Sequence, residues 1–251
     1  MIKLVKNEFT KIGHFKLYLP FVIFTIVILI IKEVESLNFD KIYSLISFIG
    51  LCNCALFGGI ISNEIENGTF RMYLTKPVKR EKIYLSKYIM MCFYTFILSL
   101  FIYFMFVLII RNFESKVLFK YLMYTIPLYL LNSIIIFVST IIRNTAIVVS
   151  ICIFLLVFSL VIVQILFGLN IKFMEYSILP YLDFSIFNDK NSLHDINVTF
   201  DVNLSLKKGV IVDTFNMIIM YLLGSFIFNN KEVKFVCYKT YSVLIKKIKN
   251  E

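Results

Sequence analysis

Long uncharged runs alternate with short polar segments along this chain. A helix needs about 20 predominantly apolar residues to cross a hydrocarbon core of about 30 Å. Six runs meet that requirement and predict six membrane-spanning helices. They are 15–34, 42–62, 88–110, 121–142, 146–169 and 209–228. The pattern therefore predicts an all-α integral membrane protein.

Amphipathic segments flank these spans at both ends. Near the N-terminus, four apolar residues recur at spacings of three and four: Ile2, Val5, Phe9 and Ile12. This spacing predicts a helix within 1–14 that lies at the membrane interface and leads like an elbow into the first span. The basic tail, 229–251, carries a second apolar stripe: Tyr241, Leu244 and Ile248. Two interpretations of these segments are open, anchoring to anionic lipid and docking of a partner.

The basic residues predict which side of the membrane each loop faces. Of the 26 Lys and Arg residues, 17 lie on the side of the two termini and nine on the other side. Lys and Arg accumulate in cytoplasmic loops, so both termini are predicted to be cytoplasmic. The 63–87 loop is then cytoplasmic, and 170–207 is a long extracellular loop before the sixth span. For this outer loop we expect short helices on the membrane surface or a partial re-entry.

Composition changes this picture little. The chain is 59% hydrophobic and 17% charged, has 27 Phe and no Trp, and carries a net charge of +10. Its basic residues lie in short segments beside apolar spans, which argues against a nucleic-acid-binding surface. Four of the five cysteines lie inside the predicted spans, so no disulfide framework is expected. The Lys-, Ile- and Asn-rich composition is typical of a bacterial protein, which predicts the bacterial plasma membrane as its location.

Catalytic signatures are missing from the sequence. It contains no G-x-x-x-x-G-K-[ST] phosphate-binding loop and no G-x-S-x-G nucleophile motif. Its only histidines, His14 and His194, are predicted on opposite sides of the membrane, so no zinc site is expected. We therefore predict that the chain is not an enzyme and binds neither metal nor cofactor.

Polar groups are sparse inside the spans. Asp213 lies about one turn from Lys208, and an interfacial pair between them is predicted. Four amides occur in the spans: Asn53, Asn132, Gln164 and Asn216. Hydrogen bonds between helices are the more common role of such amides, and contact with a substrate is the less common one. Without a chain of buried carboxylates, a proton- or sodium-driven carrier is disfavoured.

The loop between the second and third spans carries a recognisable motif. Its residues are Glu64, Gly68, Thr69, Phe70, Leu74, Pro77, Val78, Arg80, Ile83 and Lys87. This pattern resembles the first cytoplasmic loop of ABC type-2 transporter permeases, with Lys79 and Ser86 as departures. Six spans, an N-terminal elbow and a long loop before the sixth span are similar to that family as well.

Local physics is consistent with the resemblance. Gly68 permits a tight turn, and Thr69 is a good N-cap for a short helix over 70–76. Pro77 discourages that helix from continuing. Three apolar residues fall on one face of it: Phe70, Tyr73 and Leu74. We call these three residues the apolar knob. A basic loop that only sets topology would explain the lysines but not the knob.

The resemblance implies a role for each part of the chain. Residues 1–228 would form a six-helix transmembrane domain, and the loop helix would couple it to a separate ATPase subunit that binds ATP and Mg²⁺. The coupling residues would be Glu64, Gly68, Thr69, Phe70, Tyr73, Leu74, Pro77 and Arg80. A second permease subunit, identical or related, would complete the transport path. The second and fifth spans would line it, placing Asn53, Phe57 and Gln164 near the cargo.

The function implied is ATP-driven export of an amphipathic or hydrophobic cargo, such as an antimicrobial peptide, a toxin or a drug. Export of lipid, polysaccharide or sodium by the same family is an open alternative. A scaffold or sensor that docks a cytoplasmic partner without transport is another. A channel is disfavoured, because no span presents a charged ring or a carbonyl-filter sequence.

Overall fold

The computed structural model describes residues 1–34, 39–69, 79–111, 115–169, 171, 175–182, 184, 187 and 190–230. Every regular element in these residues is helical. The α-helices are α1 (Ile2–Ile12), α2 (His14–Val34), α3 (Phe39–Phe57), α4 (Ser62–Glu66), α5 (Arg80–Ile110), α6 (Ser115–Tyr124), α7 (Ile126–Ile141), α8 (Thr145–Gly168), α9 (Lys190–Phe200) and α10 (Leu206–Asn230). The predicted all-α fold is confirmed. The apolar stripe of the tail lies outside the described residues.

Within the described ranges, six helical segments are long and apolar enough to cross a membrane, as predicted. They are His14–Glu33, Ile42–Glu66, Arg80–Ile110, Ser115–Ile141, Thr145–Gly168 and Leu206–Asn230. The third differs most from its predicted bounds, because α5 begins at Arg80 rather than Tyr88. With 31 residues, α5 is about 46 Å long at 1.5 Å per residue. It therefore extends beyond a hydrocarbon core of about 30 Å.

The second span bends where two glycines follow α3. A Cβ at Gly58 would overlap the side chain of Val149, and one at Gly59 would overlap Thr145 and Asn63, so α3 approaches the start of α8 closely. The chain turns there and resumes as α4. The hydroxyl oxygen of Ser139 accepts hydrogen bonds from the amides of Ile61 (3.0 Å) and Ser62 (3.1 Å). These bonds satisfy backbone donors that the turn leaves free.

The apolar core lies among α3, α5, α7 and α8, and α10 packs along α7. Ile49, Leu98, Leu131 and Cys152 are completely buried there. Apolar side chains also cover the outward faces of α2 and α10, including Ile26, Ile30, Phe215 and Leu222. Such faces are expected where a helix contacts lipid.

The segment between α8 and α10 packs onto the bundle through aromatic residues. It contains a 3-10 turn, Leu179–Tyr181, and the helix α9. Phe184 contacts Phe187 at a centroid distance of 5.3 Å and Tyr124 at 6.1 Å. A Cβ at Gly209 would crowd Tyr181 and Phe184, so α10 starts close beneath this segment.

Candidate functional site

A buried lysine lies at the centre of a group of polar contacts between α1, α4 and α5. Lys87 is completely buried on α5. Its ammonium group donates hydrogen bonds to Glu8 Oε2 at 2.7 Å, Glu64 Oε1 at 2.8 Å and the carbonyl of Ile60 at 3.3 Å. An ammonium group has three donors, so these acceptors satisfy all of them. A charge is tolerated in such a place only when it is paired in this way.

A second lysine extends the pairing to the protein surface. Lys11 Nζ lies 2.7 Å from Glu8 Oε1 and 3.0 Å from Glu64 Oε1, and its side chain is 43% exposed. We call Glu8, Lys11, Glu64 and Lys87 the ionic cluster. It joins α1, α4 and α5, three elements that lie far apart in the sequence.

Helix α1 brings Glu8 into the cluster because its apolar stripe packs on the protein. Val5, Phe9 and Ile12 contact the core, and the Phe9 ring meets Phe93 edge-on at 6.2 Å. Ile2, the first residue of the predicted stripe, is 86% exposed. The stripe beyond Ile2 thus covers α5 instead of facing lipid.

The lysines of the cluster keep Glu8 ionised. Burial alone would raise the pKa of this carboxyl, but Lys87 and Lys11 outweigh it and hold the pKa below its ordinary value of 4.5. A lowered carboxyl pKa stabilises the folded state above the unfolded pKa. The contribution of Glu8 is therefore complete at neutral pH, and it is lost only as the pH falls through the lowered value.

Both ends of the motif loop are fixed to the bundle. Gly68 has a φ of 70°, the left-handed conformation that glycine adopts readily. The Thr69 hydroxyl donates to the carbonyl of Glu64 at 3.4 Å. On the far side, Arg80 donates to the carbonyl of Asn229 on α10 at 2.9 Å, and Asn229 donates to Glu81 at 3.1 Å. The loop thus leaves and re-enters the bundle at two tethered points.

The residues between these tethers lie outside the described part of the chain. They include Phe70, Tyr73, Leu74 and Pro77, so the predicted short helix and its cap stay predictions. The predicted loop, 63–87, overlaps helices at both of its ends. Helix α4 extends to Glu66, and α5 begins at Arg80. Lys87, predicted to open the third span from the loop, lies two turns inside α5.

A cavity of about 530 Å³ adjoins the ionic cluster. It lies between α1, the start of α2 and the α3–α4 turn. Its lining combines charged and amide side chains with the apolar residues Leu56, Ile60 and Ile83. The arrangement therefore offers an amphipathic surface beside a fixed set of charges.

The sequence matches a model of a known protein family. A family model described as "Protein of unknown function (DUF2705)" matches residues 21–234. The chain belongs to the DUF2705 family. No curated protein matches it. Glu64 and Lys87 lie within the DUF2705 match, whereas Glu8 and Lys11 precede it.

Two of the three residues predicted near a transport path lie in the core of this DUF2705 chain. Asn53 is completely buried and donates to Thr95 Oγ1 at 2.9 Å and Asn132 Oδ1 at 3.2 Å. Phe57 is buried against Tyr94 at 5.4 Å. Gln164 is exposed on α8 and is not brought together with them. The hydrogen bonds of Asn53 are interhelical, which was the more common role expected of these amides.

The predicted pair between Asp213 and Lys208 is wrong. Lys208 pairs with Glu175 at 2.6 Å and lies over the Tyr176 ring at 4.2 Å. Asp213 is completely buried on α10, and neither carboxylate oxygen has a hydrogen-bond partner among the described residues. Five residues along a helix correspond to a rotation of about 140°, so the two side chains point to different sides.

Removing this unpaired carboxylate should stabilise the protein. Asp213→Leu replaces a buried polar group by an apolar one of similar size and should raise stability by about 1–3 kcal/mol. Thermal unfolding in detergent measures the effect, and Asp195→Leu is a control because Asp195 is exposed on α9. A lower unfolding temperature for Asp213→Leu alone would contradict the expectation and indicate a required polar contact.

Four cysteines of the described spans are free: Cys52, Cys54, Cys92 and Cys152. The described residues contain no cluster of three or more His, Cys, Asp or Glu side chains able to hold a metal ion.

The sequence patterns did not single out Glu8, although one feature of the sequence points to it. Glu8 is the only acidic residue before Glu33, and it lies one helical turn from Leu4 and Ile12. A carboxylate that borders the apolar stripe of an amphipathic helix needs a cation beside it if the packing of that stripe buries it. The identity of that cation required the fold.

Proposed function

We propose that this chain is the membrane subunit of a bacterial ATP-driven exporter of the ABC type-2 permease class. It would contribute the transport path, while a separate ATPase subunit binds ATP with Mg²⁺ and performs the hydrolysis. Two permease subunits and two ATPase subunits would form the complete complex. The chain itself would have no catalytic residue.

The observation that carries this proposal is the fixed pairing at the base of the motif loop. Glu64 and Lys87 are the first and last residues of the motif, and they form an ion pair of 2.8 Å in which Lys87 is completely buried and Glu64 is half-buried. A loop that transmits closure of a partner needs a rigid connection to the spans, since a flexible one would absorb the movement. Glu64 connects the loop to α1, and Arg80 connects it to α10.

The proposal also includes the orientation of the chain in the membrane. Helix α1 would be the elbow that precedes the first span, and both termini would face the cytoplasm of a bacterial cell. The excess of 17 basic residues on the side of the termini over nine on the other supports that orientation. The ionic cluster, the apolar knob and the ATPase would then share the cytoplasmic side.

The cargo proposed is an amphipathic or hydrophobic molecule taken from the membrane, such as an antimicrobial peptide. Asn53, Phe57 and Gln164 on the second and fifth spans would lie along the path. The buried positions of Asn53 and Phe57 in a single subunit mean that helices must separate before either contacts cargo. Such separation is the kind of change that ATP-driven closure of a partner could drive.

The test is co-purification with a P-loop ATPase, sought first among the products of the genes that neighbour the gene for this chain. We expect the tagged ATPase to bring the permease with it, and the permease alone to hydrolyse no ATP. Cells that express both should resist the cargo, and cells in which the ATPase cannot bind ATP should not. Hydrolysis by the purified permease alone would overturn the proposal. Stable binding of the ATPase without any transport would instead support a scaffold or sensor.

A further inference from the structure

The cavity beside the ionic cluster lies at the depth of the membrane interface. The first span begins at His14, and Lys16 lines the cavity from its first turn. Phe15 and Tyr18 on the same turn are 78% and 65% exposed. A tyrosine such as Tyr18 and a lysine such as Lys16 at the end of a span mark the level of the lipid headgroups. A ligand in this cavity is therefore within reach of headgroups.

Among the described residues, the cavity lining and Lys87 behind it carry one excess positive charge. Lys11 and Lys87 are paired with Glu8 and Glu64 within the ionic cluster. Lys16 forms no ion pair with any described residue and is exposed. Within the described part of the chain, these three ammonium groups and two carboxylates leave a net charge of +1, which matches the single negative charge of a phosphodiester.

Amide side chains supply neutral donors beside this charge. Asn63 Oδ1 accepts a hydrogen bond from the Thr145 hydroxyl at 2.7 Å. Its Nδ2 therefore remains as the donor end of the amide. Asn7 and Asn67 add two further amides to the lining. Phosphate oxygens accept hydrogen bonds from such groups, and a lysine beside them makes the contact stronger.

The other wall of the cavity is apolar. Leu56 and Ile60 are half-buried and Ile83 is buried, and all three face the cavity. A free phosphate ion would leave this wall without a partner. A lipid would cover it with its glycerol backbone and the first methylenes of its acyl chains, and about 530 Å³ is the size of a small-molecule site.

We propose that this cavity binds one acidic phospholipid, with its phosphodiester on Lys16 and the asparagine amides and its glycerol region on Leu56, Ile60 and Ile83. The bound lipid would fasten α1 to the α3–α4 turn beside the ionic cluster. This inference does not depend on ATP-driven export, because any membrane protein with this cavity would bind the lipid in the same way.

The experiment titrates dioleoylphosphatidylglycerol, and separately dioleoylphosphatidylcholine, into the purified chain in detergent. Native mass spectrometry counts bound lipids, and thermal unfolding reports stabilisation. We expect one tightly bound phosphatidylglycerol and no comparable phosphatidylcholine. Lys16→Gln should weaken the phosphatidylglycerol affinity by about tenfold, the usual effect of losing one charged hydrogen bond.

Lys3→Gln is the matched control, since Lys3 is exposed on α1 and does not line the cavity. It should retain the wild-type affinity, and Lys16→Arg should retain most of it. Equal losses in Lys3→Gln and Lys16→Gln would overturn the proposal in favour of diffuse surface attraction. If Lys16→Gln fails to fold, Asn67→Ala takes its place, with the same expected direction.

Inorganic phosphate separates the two possible sources of the anion. At millimolar concentration it should neither displace phosphatidylglycerol nor stabilise the protein to the same degree. Full displacement by phosphate would show that the cavity recognises the anion alone, and this result would overturn the assignment to lipid.

Discussion

Lys87→Met should destabilise the protein by about 3–5 kcal/mol, the usual cost of removing one partner from a buried ion pair. Methionine has nearly the length of lysine, so the packing of α5 changes little. The loss arises because Glu8 and Glu64 then face each other without the ammonium group that lies within hydrogen-bond distance of both. Thermal unfolding of the purified chain in detergent measures the change.

Two further variants show whether the effect is electrostatic. Lys6→Met removes an exposed lysine of α1 and should leave the unfolding temperature unchanged. Glu8→Gln combined with Lys87→Met removes one carboxylate together with the ammonium group and should recover part of the loss. Unfolding of Lys87→Met at the wild-type temperature would mean that the three contacts of its ammonium group contribute nothing to stability.

The six spans could be predicted from the sequence because the membrane imposes a length and a polarity on each helix. The start of α5 could not. Residues 80–87 contain Arg80, Glu81, Lys82 and Lys87, and their hydropathy is that of a loop. They are helical because α5 continues past the membrane and buries Lys87 against α1 and α4. Such packing between distant segments leaves no signature in local hydropathy.

The candidate site could be predicted only in part, because packing between distant segments also brings its residues together. Glu64 and Lys87 stood out through the motif, but a motif does not report that its two ends form an ion pair. Glu8 lies 79 residues from Lys87 in the sequence, and only the docking of α1 brings them together. Asp213 and Lys208 were paired by sequence distance alone, and the helical rotation between them separates the side chains.

In the proposed complex, the apolar knob should carry most of the affinity for the ATPase subunit. Truncating Phe70, Tyr73 and Leu74 to Ala should reduce that affinity a hundredfold or more, since apolar interface anchors typically cost about 1–4 kcal/mol each when truncated. Membrane insertion should be unaffected, because no basic residue changes and no span is touched. Co-purification yield of the ATPase, at equal expression of each variant, measures the loss.

Variants that change charge or backbone conformation distinguish the contribution of the apolar knob to docking from that of the rest of the loop. Lys79→Gln with Lys82→Gln should leave docking nearly intact, because exposed charges at the rim contribute little. Gly68→Val should weaken docking without removing any contact. Gly68 has a φ of 70° with open space around it, so a valine there meets only backbone strain, which would redirect the segment that follows. If the triple variant exports cargo normally with its ATPase bound, the loop sets topology only, and the tethers at Glu64 and Arg80 must serve the stability of the bundle instead of coupling.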